Sequence, residues 1–294
     1  MEKNVQNKIS YNPTLAGVSF TLMICAYVLI SLIGQMILTA LRVDVGVLYY
    51  AINSCFSVIA MLIVIKIQTK KSSLGRGLFC NFKKFSFKYG ILSVVLAVGM
   101  FLGLGFINIL FGNLLGAPEQ TINLTNYLTN FFNYAVFLVF MAVLPAITEE
   151  MFFRGLMLDV LKNGKNLSAI LIVSLSFALY HGSVYQIIYQ FIYGVGLTIL
   201  AIKSESIIPS LLAHFLNNFA VLTIEYLKLN VNLFSPVVIG TGFILLAVFA
   251  VFMIKDKKTI NEKIVNKKVT EFFIPYGLLG IIICLILIIA GAVK

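Results

Sequence analysis

Glu149-Glu150-Met151-Phe152-Phe153-Arg154 sets two adjacent carboxylates and a guanidinium into a segment that is otherwise apolar, with Tyr134 to Leu144 just upstream. An ionisable side chain at bilayer depth costs at least ~2.5 kcal/mol on insertion scales, so three together argue for chemistry rather than packing. The chain has two histidines, His181 and His214, and both also lie in apolar segments. Glu150 and Arg154 are four residues apart and share a helix face, where the arginine balances the carboxylate's charge. Glu149 is turned away by about 100° and faces a neighbouring helix, free for work. His214 and Asn218 repeat the four-residue spacing on a second helix.

These residue types are the parts for activating water and meeting the charge that develops on a carbonyl oxygen: one carboxylate, two imidazoles and an amide. A carboxylate in a low-dielectric cavity is a better base than one in water. At ~1.5 Å per helical residue, Glu149, His181 and His214 each come out ~15–22 Å from the inner connections. Consecutive helices therefore bring them round one polar cavity near the middle of the membrane.

The elements that must hold them follow from composition. Of 294 residues, 60% are hydrophobic and 11% charged, with a mean hydropathy of +1.01. Soluble domains carry about 25% charged residues, so a water-soluble core is excluded. The pattern predicts an all-α, polytopic transmembrane helical bundle. Its apolar stretches are Leu15–Leu41, Val47–Ile67, Tyr89–Leu115, Tyr134–Leu158, Leu167–Tyr180, Ile187–Ile202, Ile207–Leu227, Pro236–Ile254 and Phe272–Val293. Most reach the ~17–25 residues a span needs, while the fifth and sixth are short, which predicts eight to nine spans. The first run is too long for a signal-peptide core of ~7–15 residues and reads as a retained span. Residues 1–132 are read as N-terminal helices, 133–227 as the core carrying the chemistry, and 228–294 as C-terminal helices.

Charge orients the bundle. Lys3, Lys8, Lys66, Lys70, Lys71, Arg76, Lys83, Lys84, Lys88, Lys162, Lys165, Lys203, Lys255, Lys257, Lys258, Lys263, Lys267 and Lys268 all fall on one side of alternating spans, 18 of the 22 basic residues. This predicts a multi-pass protein of the cell membrane with its N-terminus cytoplasmic. The net charge of +11 is thus a topology signal addressed to the lipid bilayer, and no nucleic acid is implied. The outer connection 116–133 carries Asn123-Leu124-Thr125, a sequon that matters only where the source glycosylates. Gly99 and Gly103 make a small-residue pair suited to close helix packing. Cys25, Cys55, Cys80 and Cys284 are scattered, without metal-ligand spacing.

The ordered set Glu149-Glu150-x-x-x-Arg154, Phe177-x-x-x-His181 and His214-x-x-x-Asn218 resembles the three motifs of the CPBP intramembrane proteases, also called Abi or CAAX prenyl endopeptidases, over residues 140–222. The resemblance implies an intramembrane endopeptidase acting on a membrane-bound peptide or protein. It makes Glu149 the general base, with His181 binding the water, His214 and Asn218 forming the oxyanion hole, and Glu150 with Arg154 ordering the site. The family has been described as glutamate-dependent and as metal-dependent. If a metal serves, zinc held by Glu149, His181 and His214 is the set implied, although H-E-x-x-H is absent. Two other readings use the same residues. One is a non-catalytic membrane regulator or bacteriocin self-immunity protein that works through a membrane-protein partner. The other is an ion path, against which stands the lack of a duplicated half.

Overall fold

The computed structural model describes residues 11–71, 82–115, 126–162, 167–256 and 268–292. The sequon and the basic residues Arg76, Lys165, Lys257, Lys258, Lys263 and Lys267 lie outside them. Among the described residues the chain is all-α. Its helices are α1 Pro13–Ala40, α2 Val47–Lys71, α3 Phe87–Leu114, α4 Phe131–Leu161, α5 Leu167–Tyr180, α6 Ile187–Ser204, α7 Ile208–Leu227, α8 Pro236–Lys255 and α9 Leu278–Ala292. Each coincides with one of the nine apolar stretches. Seven helical segments are long and apolar enough to cross a membrane. The two that fall short do so for different reasons. α5 has only 14 residues, about 21 Å of rise. α7 has 20, but His214, Asn217, Asn218 and Glu225 lower its hydropathy.

The helix ends are set by local chemistry. Asn12 caps α1, its side chain accepting from Leu15 N at 3.3 Å with Pro13 at the first helical position. α5 closes through a tight turn, His181 N to the Ala178 carbonyl at 3.3 Å and Gly182 N to Leu179 at 3.1 Å. Gly182 then takes a φ of +65°, which a residue without a Cβ adopts without strain. The ninth stretch does not begin as one regular helix at Phe272. Ile274 is extended (φ −109°, ψ 125°) because the ring of Pro275 disfavours helical geometry in the residue before it. α9 therefore starts at Leu278.

α4 is interrupted by two wide π-helical stretches, Leu138–Val143 and Met151–Met157. Pro145 accounts for the first. In that wide register the Phe140 carbonyl looks for the amide of residue 145, and proline has none. Ser54 Oγ of α2 donates to the Phe140 carbonyl instead. The backbone group that proline orphans is thereby used to fasten α2 to α4, just before Glu149.

The two ends of the bundle are closed differently. At the basic end, the Tyr89 hydroxyl lies 2.6 Å from Asp256 Oδ2 and 2.7 Å from the Lys203 carbonyl. Lys88 pairs with Asp256 at 2.8 Å, and Asn12 N donates to the Val160 carbonyl at 2.9 Å. This ties the starts of α1 and α3 to the ends of α4, α6 and α8. The other end is joined by aromatic contacts: Tyr134 stacks on Tyr226 at 4.6 Å and Tyr50 meets Tyr127 at 5.2 Å.

α3 and α8 pack through facing glycines. A Cβ on Gly103 would lie 3.0 Å from the Gly242 carbonyl carbon, and one on Gly242 would collide with the Gly103 backbone. In lipid, helices hold together by such close packing rather than by a hydrophobic drive. Gly242→Leu is expected to destabilise the protein by at least about 1–3 kcal/mol. Thermal unfolding in detergent checks this; an unchanged midpoint would show that the two helices can part without penalty.

Candidate active site

Glu149 and Glu150 sit between the two π-helical stretches of α4, a setting common at functional sites. Glu150 is fully buried and pairs with Arg154 Nη1 at 2.7 Å. The guanidinium is held on every side. Nη2 donates to the Gly194 carbonyl at 3.2 Å, Nε to Thr198 Oγ1 at 3.4 Å, and its face lies 4.4 Å from the Phe177 ring. Gly194 is needed where it stands: a Cβ there would lie 3.1 Å from the Ser174 backbone, and the close approach of α5 to α6 would open. A buried charge is tolerable only when paired and hydrogen-bonded, and here both charges are.

His214 of α7 links the two carboxylates. Its Nδ1 lies 3.0 Å from Glu150 Oε1 and its Nε2 3.8 Å from Glu149 Oε2. A carboxylate accepts, so Nδ1 carries the proton, and Nε2 is a donor only when the ring is doubly protonated. His181 is fixed in the same manner. Its Nδ1 donates to the Phe177 carbonyl at 2.8 Å, leaving Nε2 to accept a hydrogen bond. The rings of both histidines pack edge-on against Phe177, at 4.6 and 5.6 Å.

Glu149 is 6% exposed, and its Oε2 is buried with no hydrogen-bond partner. A buried carboxylate oxygen left so is expensive unless a polar visitor satisfies it. Glu149 also lines a cavity of about 860 Å³, together with His181, His214, Asn217 and Asn218. Glu149, His181, His214 and Asn218 therefore share one cavity, while Glu150 and Arg154 lie beneath it.

Several residues at the site had no signal in the sequence. Asn217, beside Asn218, is 7% exposed and its Oδ1 accepts from Tyr189 Oη at 2.7 Å. Thr198 and Gly194 hold Arg154 but carry no spacing that marks them. The N-terminal helices, which contain no recognisable motif, supply cavity wall through Tyr27, Tyr50, Asn53, Phe101 and Asn108. Polar residues in these helices are the one hint the sequence offers.

The zinc set does not fit. Two imidazoles and a carboxylate are suitable donors, yet among the described residues no three His, Cys, Asp or Glu side chains converge so as to hold a metal ion. Glu149, His181 and His214 line the cavity as separate groups, and Arg154 and His214 both occupy Glu150 Oε1.

Residues 131–220 match the family model described as type II CAAX prenyl endopeptidase Rce1-like. No curated protein and no solved structure matches the chain.

Proposed function

We propose, from the match of residues 131–220 to the Rce1-like type II CAAX prenyl endopeptidase model, that the chain is an intramembrane endopeptidase that hydrolyses a peptide bond of a membrane-associated substrate with carboxylate-activated water. The observation that carries this reading is one cavity lined by Glu149, by two histidines whose Nδ1 atoms are fixed, and by Asn218.

In this reading Glu149 takes a proton from water as the water adds to the scissile carbonyl. His181 Nε2 accepts the water's other hydrogen and turns its lone pair toward the substrate. The doubly protonated ring of His214 donates from Nε2 to the developing oxyanion, and Asn218 adds an amide donor. Glu150 stabilises the imidazolium through Nδ1, and Arg154 balances Glu150. Glu149 then delivers its proton to the leaving amine, so the protons balance. His214 is thus a charged donor held by a carboxylate, a fuller role than an uncharged half of an oxyanion hole.

The N-terminus lies on the cytoplasmic side, supported by the 18 basic residues on that face. The seven long apolar helices cross the bilayer together with α7, and α5 crosses as a short span. The segment 133–227 is the catalytic core, for which α1 to α3 provide walls.

The test is direct: purified protein in proteoliposomes, offered a membrane-peptide fraction, with new peptide termini read by mass spectrometry. Termini that appear only with the protein present support the protease. No new termini, with the cellular phenotype of the protein intact, would favour the non-catalytic regulator. His214→Ala and Asn218→Ala are each expected to lower kcat by about 10²–10³-fold, as the loss of one oxyanion donor does. Initial rates measure this, and an effect confined to KM would remove both from the oxyanion.

A further inference from the structure

A second cavity, of about 350 Å³, lies at the end of α5. That volume is within the ~300–1,000 Å³ of ligand pockets. Tyr180, His181 and Gly182 line it from α5 and its closing turn, Ile24 and Val28 from α1, and Cys284 from α9. Its place follows from helix length. In the proposed membrane arrangement α1 and α5 both start from the cytoplasmic face. α5 stops after 14 residues, about 21 Å of rise, whereas α1 has 28 and runs on past it. Tyr27, Tyr180 and His181 line the larger cavity as well, so the two share a partition. Within it the rings of Tyr27 and Tyr180 meet edge-on at 6.1 Å.

The lining decides what can enter. Most of it is apolar, and among the described residues no Lys, Arg, Asp or Glu belongs to it. His181 is its one imidazole, with Nδ1 already held by the Phe177 carbonyl. A charged headgroup would lose its hydration there without gaining a partner. Leu32 and Leu287 also line the cavity and are exposed, as are Leu29, Ile33 and Ile286 near them. The lining therefore runs out onto the surface that α1 and α9 turn to the acyl chains. Lipid tails are as apolar as leucine, and a chain that fills the cavity supplies its walls with dispersion contacts. One lining group needs more than a hydrocarbon: Ser31 Oγ is buried without a hydrogen-bond partner, which is costly for a hydroxyl. Ser31 stands ~27 Å along α1 from Pro13. That is close to the far boundary of a ~30 Å hydrocarbon core, the depth of glycerolipid ester carbonyls.

We propose that this second cavity is a site for one acyl chain of a membrane glycerolipid, which enters between α1 and α9. Its ester carbonyl accepts a hydrogen bond from Ser31 Oγ, and its chain seats against Tyr180 and His181. The lipid completes the bundle where α5 is too short to do so, and it backs the histidine that the larger cavity uses. The site goes beyond the protease reading and does not rest on it.

The test is photolabelling of the full chain in phosphatidylcholine proteoliposomes that contain a phosphatidylcholine with a diazirine on one acyl chain. Mass spectrometry locates the adducts. Ile24, Leu179 and Cys284 line the cavity and are each at most 3% exposed, so lipid around the bundle does not reach them. Adducts on these three are expected, beside those on the exposed Leu29 and Ile33. Adducts confined to Leu29, Ile33, Leu32 and Leu287 would overturn the proposal and leave the cavity to water or to a substrate side chain. Ser31→Phe puts a ring into the cavity and is expected to abolish the three inner adducts while the outer ones persist. Undiminished inner adducts in that variant would show that no chain passes Ser31. Ser31→Ala adds no bulk and is expected to lower the inner adducts by about 2–10-fold, the worth of one hydrogen bond. The same change should have no effect when the labelled lipid is ether-linked and lacks the carbonyl; an equal loss with both lipids would overturn the carbonyl contact. None of these readouts uses bond cleavage. A chain that takes up the lipid and cuts no peptide fails as a protease and keeps the lipid site. One that cuts peptides without inner adducts does the reverse.

Discussion

Glu149→Gln will lower peptide cleavage by about 10²–10⁴-fold, the contribution of a positioned general base, while the protein still inserts and folds. Glutamine matches the shape of glutamate, so the cavity and the packing of α4 against α7 are kept. It cannot take a proton from water. Glu149 is hydrogen-bonded to nothing through Oε2 and lies 3.8 Å from His214 Nε2, so the exchange breaks no strong contact in the resting protein. The measurement is a turnover rate in proteoliposomes beside a thermal unfolding curve in detergent. A variant that unfolds early and loses activity in proportion would make Glu149 a structural residue. A stable variant with undiminished turnover would remove it from the chemistry.

Arg154→Met has its largest effect on the fold. The substitution keeps an apolar stem but takes away the guanidinium from Glu150, Gly194 and Thr198 together. Removing one partner of a buried ion pair costs about 3–5 kcal/mol, because the other charge remains without compensation. Against a total stability of ~5–15 kcal/mol, that loss is enough to reduce the yield of folded protein sharply. The double variant Glu150→Gln with Arg154→Met removes the orphaned charge, and most of the lost stability should return. Cleavage should not return, since His214 Nδ1 then loses the carboxylate that fixes its ring. Unfolding midpoints for both variants, read with turnover for the double variant, separate these two effects. Equal destabilisation of the single and double variants would mean that the pair is not an electrostatic unit.

The helices were legible because lipid demands long apolar runs, and the nine stretches read from hydropathy correspond one to one with α1 to α9. Their internal geometry was less so. The first wide turn of α4 depends on Pro145 and on where Ser54 of another helix happens to lie, and hydropathy is blind to both. Glu149, Glu150, Arg154, His181 and His214 could be singled out because charge and imidazole are rare in such segments, and Asn218 by its four-residue spacing from His214. Thr198, Gly194 and Tyr189 could not, since a threonine, a glycine or a tyrosine in a membrane helix is ordinary until a partner is seen beside it. The bridge from Glu150 through His214 toward Glu149 joins residues 64 positions apart, and their similar depth was all that spacing offered. The polar walls from α1 to α3 lie beyond any motif because isolated Asn and Tyr residues acquire meaning only when the helices converge.

The shortness of α5 has a consequence for the lipid itself. Its outward face is a stripe of exposed leucines, Leu167, Leu171 and Leu175, so it meets acyl chains directly. At about 21 Å it falls short of a hydrocarbon core of ~30 Å, and such a hydrophobic mismatch is relieved by local thinning of the bilayer. In the proposed membrane arrangement that patch would lie beside His181, where α5 ends and the cavity wall begins. A peptide approaching along the leaflet there has less hydrocarbon to displace before it reaches polar walls. Bilayer thickness thus becomes a variable of the reaction: thicker membranes make the same deformation more costly, and turnover should fall as acyl chains lengthen.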